Sequence, residues 1–338
     1  MNSSNQAVAD KGVQGSSSSR GNSLKNIQNF REGTTILVIL GLGVIMSIIS
    51  PYFLTGDNFK TMFMSFAING FIVIAMTLVL ITGGIDLGVG AVMALVGIVV
   101  GSLFLEFHMN IWLASLIGLA LGLIIGVVNG LFITRIGLSP FITTLGMSQV
   151  IYGVAAVVSQ GMPLPLQTVP DIFKFVGRGI IGGTGIPFVI VLFVVVACMF
   201  DFLSRRSSIF RKIYYVGSNE KSARFSGIDV SKVRMGVYML SGVLSAFAGI
   251  LSIARFNTAT NTMGITVNMD AISAAVIGGA SLNGGEGTIF GAALGIALLA
   301  LIQTSLNLMD VGPYWQSLVT GLVLLISVSL DFLSHRKR

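Results

Sequence analysis

Ionisable residues are so sparse in this chain that the sequence breaks into eleven uncharged runs between residues 33 and 330, most of them close to one bilayer thickness in helical length. With 20 Lys/Arg and 13 Asp/Glu in 338 residues, the charged fraction is far below the ~25% of a soluble domain. Mean hydropathy is +0.90. No water-facing surface of ordinary extent can be built from such a composition, so the chain is an integral membrane protein. The run 256–269, FNTATNTMGITVNM, is too short and too rich in Asn and Thr to cross, which leaves about ten candidate spans. In the run 136–170 the distal part, SQGMPLPLQTVP, carries three prolines and reads as a loop. The run 271–285 is shorter than a span and ends in glycines, so it is either a tilted helix completed by its neighbours or a re-entrant segment. The expected fold class is an all-α polytopic membrane protein of about ten transmembrane helices, some broken or re-entrant.

An even number of spans places both termini on one side, and basic residues say which side that is. Numbering loops from an internal N-terminus puts 16 of the 20 Lys/Arg inside, leaving Lys60, Lys174, Arg178 and Arg255 outside. This agrees with the positive-inside rule, and the expected topology is N-in and C-in. The net charge of +7 is then mostly orientation, and nucleic acid is not an expected partner. Residues 1–33 lack an apolar core and read as a disordered cytoplasmic tail and not as a cleavable signal. Residues 34–333 form the transmembrane domain, with 204–234 as its one large cytoplasmic loop, and 334–338 form a basic cytoplasmic tail. The single cysteine, Cys198, lies in an apolar run and excludes a disulfide framework and a thiolate cluster.

Two kinds of segment carry specific content. The loop 204–234 holds eight basic and two acidic residues and a short helix signal: Ser218 as an N-cap, Glu220 in the first turn, Arg224 in the last and Gly227 at the left-handed stop. It reads either as a solvated connector along anionic lipid or as a docking knob that displays Ala223, Phe225 and Ile228. The stretch Ile81–Ala94, ITGGIDLGVGAVMA, sets Asp86 among Gly83, Gly84, Gly88 and Gly90. Each glycine costs a helix about 1 kcal/mol relative to alanine, so the helix breaks here and Asp86 either faces a pathway or caps the next helix. Both roles keep it out of lipid. A second glycine break, IGGASLNGGEGTIFG at 277–291, carries Glu286 and resembles the first in composition. The polar stretch Asn257–Asp270 reads either as a surface that receives a polar neutral solute or another protein, or as an ordinary loop.

The missing motifs also constrain function. There is no G-x-x-x-x-G-K-[ST] to hold nucleotide phosphates, no H-E-x-x-H and no G-x-S-x-G. Only Asp86, Asp270 and Glu286 lie near membrane-interior sequence, a poor basis for proton coupling. A self-contained secondary transporter or facilitator of a polar solute stays open as an alternative, whereas a membrane-bound enzyme has no reactive constellation to use.

The segments ITGGIDLGVGAVMAL (81–95), SPFITTLGM (139–147), VGSNEKSARFSGIDV (216–230) and MDAISAAVIGGASLNGGEGTIFGAALG (269–295), in that order, resemble the permease subunits of bacterial ABC importers of the ribose, xylose and arabinose group. The resemblance spans roughly 35–333. It implies a subunit of the cytoplasmic (inner) membrane that moves a monosaccharide or similar polar neutral solute by alternating access. Permeases for nucleosides or branched-chain amino acids are the neighbouring possibilities. Implied partners are a second permease as a homodimer or a paired chain, two ATPase domains and an extracytoplasmic solute-binding protein. The chain itself would be no enzyme and would hold no cofactor, with ATP and Mg on the ATPase subunit. The family's coupling helix falls on Asn219, Glu220, Ala223, Arg224, Phe225, Ser226 and Gly227. Thr82, Gly83, Gly84, Asp86, Asp270 and Asn283 are the expected residues of the pathway and broken helices. At Gly88 many relatives of this group carry serine, so the turn here is looser and lacks a hydroxyl.

Overall fold

The structure, a computed structural model, describes residues 16–336. In chain order the helices are α1 (Ser16–Ile49), α2 (Gly56–Ile81), α3 (Val89–Leu105), α4 (Ile111–Leu131), α5 (Pro140–Ser159), α6 (Asp171–Arg178) and α7 (Phe188–Arg206). They continue as α8 (Ser208–Ser218), α9 (Glu220–Phe225), α10 (Val230–Phe256), α11 (Val267–Ile277), α12 (Ile289–Leu308) and α13 (Pro313–Arg336). A π-helical turn at Phe132–Ile136 extends α4. Two short strands, β1 (Leu164–Pro165) and β2 (Thr258–Ala259), pair antiparallel and tie the proline-rich loop to the end of α10. Among the described residues, α1, α2, α4, α5, α7, α10 and α12 are long and apolar enough to cross a membrane, and α3, α11 and the Tyr314–Ser329 part of α13 are shorter apolar helices.

Where sequence and structure part company, the cause is physical. The disorder expected over 1–33 does not hold for its described part, because α1 starts at Ser16. Once the apolar span nucleates a helix, extending it upstream adds one hydrogen bond per residue at little cost, even through polar residues. Residues 1–15 lie outside the described residues. At the other end Arg336 still belongs to α13, and Lys337 and Arg338 lie outside the described residues.

Burial sorts the helices into a centre and a periphery. Every residue of α2 from Gly70 to Ile81 is buried, as is nearly all of α3. These two pack with α10, α11 and α12 around one core that includes Phe71, Met76, Tyr238 and Leu251. A second core joins α3, α4, α5 and α10 with the amphipathic α6, through Ile98, Ile111, Ile151, Phe173 and Ile250. The outer helices expose large apolar side chains instead, Leu37 and Ile48 on α1 and Val157 on α5 among them. In water such a surface would be unstable, and in a bilayer it is the lipid-facing one.

Small residues set the closest helix pair. Gly118, Gly122, Gly126 and Gly130 form a stripe at four-residue spacing on α4; Gly122, Gly126 and Gly130 lie against α10 at Met235, Tyr238, Gly242 and Ala246, and Gly118 lies against Val96 and Val100 of α3. Helices in lipid gain nothing from burying apolar surface against each other, so close backbone approach across small residues provides the contact energy.

Candidate functional site

The two glycine-rich segments do break the helices. Both breaks open in the same way. At the end of α2 the Gly83 N–H donates to Leu80 O (2.8 Å) and the Gly84 N–H to Val79 O (3.1 Å), with Gly83 at φ +75°. At the end of α11 the Gly279 and Ala280 N–H groups donate to Val276 O and Ala275 O, both at 2.9 Å, with Gly279 at φ +96°. Each is a left-handed glycine stop that satisfies the orphan carbonyls of a helix end. Thr82 is the last residue before the first stop and its hydroxyl turns back onto Val79 O at 2.7 Å.

From Ile85 to Gly90 the chain runs without a regular ladder, and side chains from three other helices, α5, α10 and α11, together with Asp86 itself, supply the missing partners. Tyr238 Oη donates to Ile85 O (3.2 Å), Thr144 Oγ1 accepts from the Leu87 N–H (3.0 Å), and Asp86 Oδ1 accepts from the Gly88 N–H (2.9 Å). Ser241 Oγ donates to the other carboxylate oxygen of Asp86 at 2.7 Å. Asn268 bridges the break with both ends of its amide: Nδ2 donates to Leu87 O and Oδ1 accepts from the Gly90 N–H, both at 2.8 Å. Asp86 is therefore a buried anchor beside the start of α3, whose N-cap is Gly88 without a side-chain cap bond, and it does not line the Asp270 cleft described below. Gly84 has no room for a side chain, since a Cβ there would sit 2.6 Å from Tyr238 Oη.

The second break reaches the first. The Gly285 N–H donates to Ile81 O at 2.8 Å, and Gly284 lies against the backbone of Gly83 and of Gly217. Gly217, in the last turn of α8, rests on Ile81 O and on the Gly285 N–H, and Ser218 covers Gly285. The two breaks and the basic loop thus meet at one point through bare backbone. Asn283 takes part through its backbone, its N–H donating to Ser281 Oγ and its carbonyl facing Gly83, while its side chain is exposed.

The helix inferred in the basic loop is present as α9. Asn219 and not Ser218 is its N-cap, with Oδ1 accepting from the Ser222 N–H at 3.0 Å, because Ser218 closes the preceding α8. Glu220 is held by Arg224 and Arg234, both at 2.8 Å, and these bonds keep its carboxyl below the ordinary glutamate value. At the other end Ser226 is the C-cap, Gly227 takes φ +77°, and the Ile228 N–H donates to Ala223 O at 3.0 Å. Of the three apolar residues expected on display, only Phe225 is, at 92% exposure. Ala223 packs with Val216 and Val230, and Ile228 closes over that small cluster. The stop motif itself turns Ile228 back onto Ala223. Beside Phe225 a hollow of ≈ 300 Å³ is lined by Tyr215, Asn219, Ser222 and Ser226.

Asp270 goes elsewhere. It lines a cleft of ≈ 720 Å³ between α2, α11 and α13, where Asn69, Gln316 and Thr320 stand among apolar residues such as Val267 and Leu324, and Gln303 Nε2 approaches its carboxylate at 3.5 Å. The expected site residues thus fall into three groups. Thr82, Gly83, Gly84, Asp86 and Asn283 shape the breaks, the 219–227 set forms a surface helix, and Asp270 alone faces a cleft. Thr144, Tyr238, Ser241 and Asn268 are functional-site residues that the sequence reading did not single out, although Thr144 lies within the quoted stretch 139–147 and Asn268 within the polar stretch before Asp270.

A membrane helical bundle with two interior breaks, on both of which the end of α8 rests just before the capped α9, has the build of a transport permease. The family described as "Branched-chain amino acid transport system / permease component" matches residues 58–328, from the first turn of α2 into α13. Over 300 residues the chain is 35% identical to the ribose import permease protein RbsC of Escherichia coli K12, covering 89% of this chain and 93% of the relative. It is 38% identical over 290 residues to the ribose import permease protein RbsC of Bacillus subtilis (86% and 89%). With the fructose import permease protein FrcC of Rhizobium meliloti it shares 31% identity over 318 residues (91% and 88%). The chain belongs to this family of transport-system permease components.

Proposed function

We propose that this chain is the membrane subunit of an ATP-driven importer that carries a monosaccharide or similar polar neutral solute across the bacterial cytoplasmic membrane. One observation carries the reading: Phe225 stands almost wholly exposed on α9, and the end of the helix immediately before it, Gly217–Ser218 of α8, is packed on the backbone of both broken segments. A large aromatic on a basic surface loop suits a partner's groove, and the clasp behind it gives motion of that partner a direct route to the interior breaks. The relatives named for ribose and fructose import support the solute class.

The chain's own residues do no chemistry in this scheme. An ATPase pair, holding ATP and Mg, binds the α9 face, a loaded solute-binding protein docks at the opposite end, and a second permease copy or paired chain completes the pathway. The basic loop lies in the cytoplasm with both termini, and the chain crosses about ten times, α3, α11 and α13 completing the set. Co-purification of the ATPase with tagged permease, followed by ATP hydrolysis in proteoliposomes with loaded binding protein, tests the coupling surface. Truncating Phe225 to alanine is expected to weaken association by about 30-fold, the effect of an interface anchor worth about 2 kcal/mol. Gly227→Val is expected to misplace the helix stop, because a β-branched residue resists the left-handed conformation. Wild-type association and wild-type stimulated hydrolysis in the double variant would overturn the assignment.

A further inference from the structure

The head of α12 is held by two helices distant in the chain. Gly287, the last residue of the second break before the N-cap Thr288, is buried, and its carbonyl lies outside the ladder of α12. The Gly291 N–H donates to Thr288 Oγ1 (2.9 Å) and the Ala292 N–H to Thr288 O (3.0 Å), so neither reaches back to Gly287. A partner comes from α8: Tyr214 Oη donates to Gly287 O at 3.1 Å. The second tie comes from α1, where Glu32 Oε1 accepts from Thr288 Oγ1 at 2.7 Å. One hydroxyl thus caps α12 and holds a carboxylate. Because α12 has no acidic residue in its own first turn, Glu32 supplies from another helix the negative charge that a helix N-terminus favours.

What stands behind the two ties differs. α1 exposes Leu37 and Ile48 and is seated on α12 again further along, where Met46 packs with Leu301. It is attached to α12 at both places. Tyr214 belongs to the basic loop: its ring packs on the main core, Gly217 follows three residues later on Ile81 O and Gly285, and α9 with Phe225 comes directly after.

The kind of contact decides what it can transmit. Close packing such as Gly217 on the Ile81 carbonyl resists compression, but its attraction is small and fades within an ångström of separation. A hydrogen bond resists both directions, and breaking this one strands a buried carbonyl. Through Gly217 the loop can press on the breaks; through Tyr214 it can also draw the head of α12 back.

We infer that Tyr214 is the positioning residue that carries movement of α8 to the second break through Gly287 O, and that Glu32 fixes the head of α12 to α1 so that these two helices move as one body. This rests on the importer reading, so the test separates the two. Hydrogen exchange of the amides at 287–292 in the purified full chain needs no transport. Tyr214→Phe and Glu32→Ala are each expected to speed exchange there about tenfold, the factor for a stranded buried acceptor or a lost bond to a charged group. The first break at 85–90 is expected to keep its wild-type rate. Glu32→Gln, whose Oε1 still accepts from Thr288, is expected to recover most of the protection.

In proteoliposomes holding the ATPase and loaded binding protein, Tyr214→Phe is expected to lower the solute taken up per ATP hydrolysed about tenfold. ATPase association stays at wild type, since phenylalanine keeps the packing of the ring and the surface at Phe225 is untouched. Wild-type protein that takes up no solute with ATP would overturn the importer reading, and the exchange pattern would still decide whether the two bonds hold the head of α12. Unchanged exchange at 287–292 in both Tyr214→Phe and Glu32→Ala would overturn the assignment. So would an unchanged ratio of uptake to hydrolysis in Tyr214→Phe, or a loss of ATPase association in step with uptake, the mark of a merely structural tyrosine.

Discussion

The two glycine breaks share composition, one acidic residue each and the same left-handed opening, yet they are held by different means. In the first, 82–88, the chain climbs back into the bundle in irregular form, and its polar groups are met by Thr144, Tyr238, Asn268 and the Asp86–Ser241 pair. The second, 278–288, folds on itself: the Ser281 N–H donates to Glu286 O, the Gly284 N–H to Ser281 O, and Gly284, Gly285 and Gly287 all take positive φ. The first break is closed mainly by distant side chains, whereas the second closes mainly on its own backbone, with the Gly285 N–H on Ile81 O and Tyr214 Oη on Gly287 O as its distant ties. Glycine-rich sequence marks where a membrane helix stops, and the surroundings decide how the gap is closed.

The largest effect is expected where that local conformation meets a close contact. Gly284→Val places a Cβ 2.9 Å from Gly217 O and from the Gly83 backbone, at φ +83°. Overpacking of about 1–3 kcal/mol adds to a left-handed penalty of roughly 1–2 kcal/mol. Purified protein is expected to unfold at clearly lower temperature or to accumulate poorly; unchanged thermal stability would show that backbone conformation does not hold this break.

A matched pair of asparagines sharpens the contrast. Asn268→Ala strands a buried N–H and a buried carbonyl in the first break, a loss of about 1–3 kcal/mol for an unsatisfied group. Asn283→Ala in the second removes only an exposed side chain and is expected to stay within about 0.5 kcal/mol of wild type. Thermal unfolding of the two in one detergent decides; equal shifts would erase the distinction. The smallest effect is expected at Asp86→Asn, which can still accept from the Gly88 N–H and donate from Nδ2 to Ser241 Oγ. It is expected to cost under about 1 kcal/mol, against about 1–3 kcal/mol for Asp86→Ala, and an asparagine variant as unstable as the alanine one would mean that the charge itself is needed.

What was legible in the sequence is what acts over a few residues. Gly83 and Gly279 as helix stops, Gly227 as the stop of α9 and the polarity of the 204–234 loop all follow from local conformational preference. The partners of the first break were not legible, because Thr144 lies 57 residues from Leu87 and Asn268 lies 181 away, and no local pattern pairs them. Ser218 and Asn219 are both good caps, and the choice between them depended on α8, whose basic amphipathic sequence reads as plain loop. Ala223 looked exposed for the same reason: its cover, Val216 and Val230, comes from the flanking helices.

The glycine stripe of α4 carries a genetic consequence. Any first- or second-base change in a glycine codon yields a residue with at least one more carbon, or a stop, since alanine is the smallest replacement the code offers. At Gly118, Gly122, Gly126 and Gly130 even alanine's methyl would fall within 3 Å of α3 or α10 atoms. The bases at those eight first and second codon positions therefore have no silent neighbours and few tolerated ones, and drift at these four codons falls on their third positions.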